Sequence, residues 1–362
     1  MGSQGNKYER IAEQKKLRRA WRLRRFTFFF SLLFRISSIL VIILVILLHR
    51  MFIGPSPTIS RMLTMTLTET SALKFVPHLF MSEDTVNRII DSSRLIEPEE
   101  KTDTSLIQIV KYNPSDNKSP EEASAEQSIP EPIKIETVIG ATYKGYMMIV
   151  SDPSRVFLGV TNEYFNGGGK RIDDLAAKYD AVGGINASGF KDENGMGNGG
   201  SPIGMVISEG KLLRSTSSHT IAAFDENHIL HVGKFTKEDV EKLGLRDGAG
   251  WGPALVVNGE PAETPVNTTG LNPRTAIGQR ADGAVLMLVI DGRHPNSMGA
   301  TYSDLIEVMV RYGAVNACNM DGGTSSTLLY EGERLSHTTT LNSCRSIPTA
   351  FLIRREATNS EP

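Results

Sequence analysis

The chain has 362 residues, enough for two ordinary domains or one large domain with appendages, and its formal net charge of -2 gives no ground for a nucleic-acid partner. Two cysteines, Cys318 and Cys344, are too few for the disulfide framework of a small secreted fold, and no Cys/His spacing suits zinc. Whether the two pair or stay as thiols is open from the sequence.

Residues 1–25 form a basic tail, in which nine Lys and Arg face only Glu9 and Glu13. Residues 26–48 are predominantly apolar and carry a single charge, Arg35. At about 1.5 Å per residue this run matches the hydrocarbon thickness of a bilayer. No small-x-small cleavage site follows Leu48, so the run reads as an uncleaved anchor rather than a signal peptide. Arg35 either snorkels to the headgroups or marks a shorter span over 36–48. The basic flank predicts a single-pass protein of the cell membrane, with its N-terminus cytoplasmic and the rest extracellular.

Residues 49–96 mix Thr, Ser and apolar side chains and read as a stalk. Within it a helix is expected around 82–90, capped by Ser82 with Glu83 and Asp84 in its first turn. Residues 97–136 are rich in Pro, Ser, Glu and Lys and too poor in apolar residues to pack, which predicts a flexible linker. The domain proper is expected over 137–355, followed by a tail at 356–362.

From Thr137 the texture changes to short β-rich runs punctuated by turns. Hairpins are expected from 146–150 and 155–160 around Asp152-Pro153, from 203–208 and 211–214 around Glu209-Gly210, and from 275–279 and 285–290 around Ala281-Asp282-Gly283. Asn258-Gly259 and Glu331-Gly332 end further strands at 254–257 and 328–330. Helices over 172–179 and 302–312 each precede a short apolar strand, 181–186 and 314–320, and a last strand covers 347–353. The expected fold is therefore a mixed α/β domain, a strand-rich sheet with few helices, behind the anchor and linker.

The polar residues gather at strand ends. Asn319-Met320-Asp321-Gly322-Gly323-Thr324-Ser325-Ser326 follows one strand, and its glycines would let backbone N–H groups converge on an anion. Asp291-Gly292-Arg293-His294 follows the most apolar strand; a carboxylate there suits acid/base work and a guanidinium suits an anionic group. Asn272-Pro273-Arg274-Thr275 opens a strand, and Gly183 to Phe190 runs a strand into Asn186, Ser188 and glycines. Four such ends suggest one shared rim. Other signals fail on context. Gly195 to Gly200 has GxGxxG spacing but leads into Ser201-Pro202 and a strand; Gly167-Gly168-Gly169-Lys170 lacks P-loop spacing; Gly323 to Thr327 is not a nucleophile elbow; His228 and His231 face opposite ways.

Taken in order, GGINASGF, NPRTAIG, VIDGRHP and NMDGGTSSTLLYEG resemble the phosphodiester glycosidase family, over roughly residues 137–355. The anchored form looks bacterial, and many relatives of that kind are named for exopolysaccharide biosynthesis. The resemblance implies hydrolysis of a sugar-1-phosphodiester between the anomeric carbon and a phosphate oxygen, on a cell-surface glycan or sugar-phosphate polymer. Arg274, Arg293 and the backbone at Gly322 and Gly323 would then hold the phosphate. Asp321 is the first candidate for nucleophile or base and Asp291 the second. Asn186, Ser188, Asn319, Ser325 and Ser326 would hold sugar hydroxyls or phosphate, and Arg345 would close the rim. No cofactor is implied. A rival reading places Ca²⁺ or Mg²⁺ on Asp291, Asp321 and Asn319 as a metal-dependent phosphodiesterase, and another makes the domain a tethered glycan-binding module without catalysis.

Overall fold

A computed structural model describes residues 3–109, 132–192, 196–215, 220–264, 270–337 and 344–356. The chain divides into two units, Met1–Ser60 and Arg61–Pro362. In the first, one helix runs over Ser3–Ile53, and its stretch from Lys15 to Ile53 is long and apolar enough to cross a membrane, with the apolar side chains of residues 26–47 exposed.

The second unit is strand-rich, and every strand pairing among its described residues is antiparallel. A seven-stranded sheet has the order Ile133–Ile139, Lys144–Val150, Val285–Ile290, Arg274–Arg280, Ala314–Asn319, Ala254–Val257 and Glu260–Pro261. One five-stranded sheet contains Glu333–Arg334, Leu328–Tyr330, Ala181–Asn186, Thr349–Arg354 and Val156–Val160. The other contains Lys211–Ser215, Met205–Ser208, Leu245–Gly250, Ile221–Asp225 and Leu230–Gly233.

The three sheets turn their inner faces to one core, in which Met148, Ile277 and Val289 meet Ile185 and Phe351 from the second sheet and Ala222 and Phe224 from the third. Each outer face carries a helix. Tyr302–Arg311 buries Leu305, Val308 and Met309 on the large sheet, Ile172–Lys178 buries Ile172 and Leu175 on the second, and Lys237–Lys242 places Val240 on the third. The expected amphipathic helices are thus explained by what they cover.

The hairpins at Glu209-Gly210, Asn258-Gly259, Ala281 to Gly283 and Glu331-Gly332 form as the turn residues predict. The one expected at Asp152-Pro153 does not. Lys144–Val150 pairs within the large sheet and Val156–Val160 pairs with Thr349–Arg354 in the second. Asp152 caps a tight turn over Pro153–Arg155, accepting from the Ser154 N–H at 2.9 Å, and the chain changes sheets there instead of doubling back.

The expected stalk and linker need revision where they are described. The helix Glu83–Ser92 forms with Ser82 as its cap. Residues from Arg61 onward, however, belong with the domain. The Thr66 hydroxyl accepts from the Leu271 N–H at 3.0 Å, Ile96 bridges Glu263, and the Glu97 carboxylate accepts from the Ala254 N–H at 2.8 Å and from Thr220. Ile107 is buried, and the Gln108 N–H reaches the Ala281 carbonyl at 2.8 Å. A few apolar residues with backbone hydrogen bonds suffice to fasten a segment whose composition reads as linker. The end of the expected linker, 133–136, forms part of the strand Ile133–Ile139, paired with Lys144–Val150; its remaining stretch 110–131 and residues 357–362 of the tail lie outside the described residues.

Candidate active site

Antiparallel register assembles the rim. Arg274 pairs with Ile290 and Ala276 with Asn319, so the start of one central strand lies beside the ends of both its neighbours. The second sheet joins there, because Ala350 pairs with Asn186 and the Asp321 N–H donates to the Ala187 carbonyl at 3.0 Å. The rim therefore mixes a strand start, at Arg274, with strand ends, at Asn186 and Asp321. The rule that ligands sit beyond the carboxyl ends of a parallel sheet is not what places it.

A cavity of about 590 Å³ opens at this rim. Its lining combines the polar and cationic Asn272, Arg274 and Arg293, the apolar and aromatic Phe190, Ile203 and Trp251, and the turn Asp321, Gly322, Gly323, Thr324 and Ser325. Arg274 is buried. Its Nε donates to the Ala300 carbonyl at 3.1 Å, its Nη2 to the Gly270 carbonyl at 2.8 Å, and its guanidinium lies 4.2 Å from the centroid of Tyr302. Arg293 reaches the cavity from a residue at φ 62°, a conformation that costs a non-glycine side chain energy and that here aims its guanidinium at Asn272, 2.9 Å from Oδ1. Gly323 is at φ 63°, and a Cβ there would come within 3.3 Å of Arg293 Nη2.

Asp321 is half-buried and fixed through its backbone: its carbonyl accepts from Asn186 Nδ2 at 2.6 Å. Burial pushes its carboxyl pKa up to about 7, against hydrogen bonds from Ser325 and the Gly322 N–H and the attraction of Arg345, with repulsion from Asp192 adding to the rise. A carboxylic acid poised near neutrality in a cleft is suited to proton transfer or nucleophilic attack.

Asp291 goes elsewhere. It is buried, and its Oδ1 accepts from the His337 N–H at 2.8 Å, with His337 Nδ1 3.7 Å from Oδ2. Burial also raises its pKa, but its carboxylate is not among the groups lining the cavity. Asn186, Ser188, Asn319 and Ser326 lie beneath the rim. Asn186 Oδ1 accepts from Thr275 and from the Thr327 N–H, Ser188 accepts from Thr349 Oγ1 at 2.8 Å, and Asn319 Nδ2 donates to the Gly252 carbonyl at 2.7 Å. Ser326 Oγ is buried and has no hydrogen-bond partner among the described residues. Of the residues the sequence points to, Arg274, Arg293, Asp321, Gly322, Gly323, Ser325 and Arg345 share the cavity. Among the described residues, no group of three or more His, Cys, Asp or Glu side chains is placed to hold a metal ion, and Cys318 and Cys344 are both free thiols.

Sequence reasoning misses Trp251, Tyr302, Asp192 and, above all, Glu69-Thr70-Ser71-Ala72. That segment crosses the cavity. Glu69 Oε2 accepts from Arg274 Nη2 and from Asn272 Nδ2, each at 2.7 Å; Thr70 Oγ1 accepts from Arg293 Nη2 at 3.0 Å; Ser71 Oγ donates to Asp192 Oδ2 at 3.0 Å. The two glycine-rich runs that mimic nucleotide motifs have a packing role instead. The Gly169 N–H donates to the Asn198 carbonyl at 2.8 Å, and a Cβ on Gly169 would come 2.4 Å from the Gly199 oxygen.

Residues 179–354 match the sequence pattern of the phosphodiester glycosidase family, so the resemblance drawn from the four ordered motifs holds. The SPbeta prophage-derived uncharacterized protein YomE of Bacillus subtilis (strain 168) is 29% identical over 199 residues, which is 51% of this chain and 29% of that protein. The chain thus spans less than a third of that relative's length. The catalytic domain of zebrafish N-acetylglucosamine-1-phosphodiester alpha-N-acetylglucosaminidase, described as auto-inhibited by its pro-peptide, shares the fold with a TM-score of 0.54 at 18% identity, over 65% of this chain and 87% of that one. A hypothetical protein from Synechocystis superposes with a TM-score of 0.47 at 14% identity, over 61% of each chain.

Proposed function

We propose that the cavity hydrolyses a sugar-1-phosphodiester at the bond between the anomeric carbon and a phosphate oxygen, outside the cytoplasm, in a cell-surface or exopolysaccharide-type glycan. The observation that carries this reading is the chain's own Glu69. Its carboxylate rests on Arg274 and Asn272 beside Asp321, which marks an anion site next to a carboxyl group poised near neutrality. A phosphate monoester is a good leaving group, so cationic contacts to its oxygens matter more than a strong general acid. Arg274, Arg293 and Asn272 serve that need, while Phe190, Ile203 and Trp251 offer an apolar face to a sugar ring. Asp321 acts as the nucleophile, or as base for water, against the oxocarbenium-like centre. Drawn this way the reaction uses no cofactor, and activity should survive a chelator; its loss would favour the metal-dependent reading.

The same contact implies that the native chain is latent. Glu69, Thr70 and Ser71 occupy the positions a substrate needs, as the zebrafish relative's description as auto-inhibited by a pro-peptide would parallel. The test is the full chain in detergent micelles, assayed for sugar release from N-acetylglucosamine-1-phosphodiester and related sugar-1-phosphodiesters. Glu69→Ala is expected to release sugar at least about tenfold faster than the native chain, since it removes a charge-assisted contact of about 1.5–3 kcal/mol. No release by either, with saturable glycan binding that survives Asp321→Asn, would replace the hydrolase with a binding module.

A further inference from the structure

Asp192 stands two residues beyond the GGINASGF motif, and nothing in the sequence pattern marks it. Its side chain is only 14% exposed. Oδ1 accepts from the Gly197 N–H at 2.7 Å and from Arg345 Nη2 at 2.5 Å, and Oδ2 accepts from Ser71. Burial pushes its pKa up, but the hydrogen bonds from Arg345, Gly197 and Ser71 outweigh this and hold it below the usual carboxylate value. Asp192 is therefore a stable anion and a fixed acceptor at neutral pH.

Arg345 is gripped from two sides by this one loop. Its guanidinium lies 4.8 Å from the centroid of Phe190, two residues before Asp192, while Nη2 is held by Asp192 itself. Nη2 also donates to the Gly197 carbonyl at 3.4 Å, and Nη1 donates to Thr324 Oγ1 at 3.2 Å, in the turn that follows Asp321. A long cationic side chain left without its carboxylate would regain rotamer freedom and lose its place on that turn. We propose that Asp192 is a positioning residue for Asp321: by clamping Arg345 between Phe190 and Thr324 it keeps a fixed cation beside the reacting carboxylate. The proposal rests on the function assigned above and adds a residue to it.

The groups acting on Asp321 are Arg345, which favours its anion, Asp192, which disfavours it, and Ser325 and the Gly322 N–H, which donate to it; Tyr302 also faces it from the helix. Arg274, Arg293 and Glu69 share the cavity. Asp192 thus acts in two opposed ways. Its own charge repels the Asp321 anion, whereas its hold on Arg345 supports that anion, and substitution can separate the two.

The experiment is a titration of the Asp321 carboxyl carbon by NMR in the full chain, labelled with ¹³C at aspartate carboxyl groups, the signal being identified by its loss in Asp321→Asn. The native midpoint is expected near 7. Arg345→Gln should move it upward. Asp192→Asn removes the charge but keeps an acceptor for Arg345, so the midpoint should move downward. Asp192→Ala removes the clamp as well and should move it upward; Asp192→Ser, too short to reach Arg345, carries the same expectation should the alanine variant fail to fold. Downward shifts in both the Asn and the Ala or Ser variants, or no shift in any, would overturn the clamp and leave Asp192 at most a bystander charge. Sugar release is read separately on the same variants in the Glu69→Ala background, where the plugging segment is already released. Its absence throughout removes the hydrolase reading while the titration still decides the clamp. Its presence should come with a loss of kcat in Asp192→Ala of about tenfold to a hundredfold, the scale of a misplaced catalytic geometry, with KM changed less.

Discussion

Asp291-Gly292-Arg293 and Asp321-Gly322-Gly323 leave the same edge of the seven-stranded sheet, one on each side of the strand that begins at Arg274. Both follow an apolar strand with an aspartate and a glycine. In the first turn the carboxylate is buried against the His337 N–H while the arginine, at φ 62°, carries the functional group to the cavity. In the second the aspartate itself lines the cavity, and the two glycines clear space, because a Cβ at Gly322 would come 2.9 Å from the Pro273 oxygen. The difference teaches that a strand end fixes where a polar residue is delivered, but the turn after it decides which side chain faces the ligand and which becomes part of the frame.

Substitution of the two aspartates is the sharpest way to break that comparison. Asp321→Asn should reduce sugar release by about a thousandfold or more, the scale of losing a covalent nucleophile or its base. Asp291→Asn keeps an acceptor for the His337 N–H and should stay within about fivefold of the native rate, since the group lies outside the cavity. Equal losses at both positions, measured by initial rates in the Glu69→Ala background, would return Asp291 to the chemistry.

The arginines come next in size. Arg293→Ala should raise KM by about tenfold to a hundredfold, the equivalent of one or two charge-assisted hydrogen bonds, with a smaller change in kcat. A fall in kcat alone would mean that the guanidinium meets charge only in the transition state.

The acid limb of the rate profile gives a further test. Asp321 must be ionised to attack, and its pKa in the ligand-free chain is raised to about 7, so kcat/KM should fall about tenfold for each pH unit below that value. The same displacement has a stability consequence of opposite sense. A carboxyl whose folded pKa lies above its unfolded one stabilises the fold below the unfolded value and loses that contribution as pH rises through about 7. Asp321→Asn should therefore be more stable than the native chain at pH 8, by about 1–2 kcal/mol for a half-buried group, and the gap should close toward pH 4. Melting curves at the two pH values measure it.

How much of this was legible in advance follows from the physics of each signal. Period-two patterns and Asn-Gly, Glu-Gly and Asp-Gly turns located many of the strands, and glycines and polar residues at strand ends marked the rim, because both are written in residues a few positions apart; Ile221–Asp225 and Leu245–Gly250 were not marked, and Ile133–Ile139 read largely as linker. The sheet change at Pro153 was hidden, since a capped turn and a hairpin turn use the same residue types. Asp192 and Trp251 gave no local signal; each matters through a partner far along the chain. Glu69 was the least visible of all. It meets Arg274 across 205 positions, from a segment whose composition reads as a spacer.

The seating of that segment also sets what an entering ligand must displace. Glu69 meets Arg274 and Asn272, Thr70 meets Arg293 and Ser71 meets Asp192, so three consecutive residues fasten to separate parts of the cavity lining. A ligand that claims one of these partners loosens its neighbours on the same short stretch, and the site would then empty as a unit rather than contact by contact.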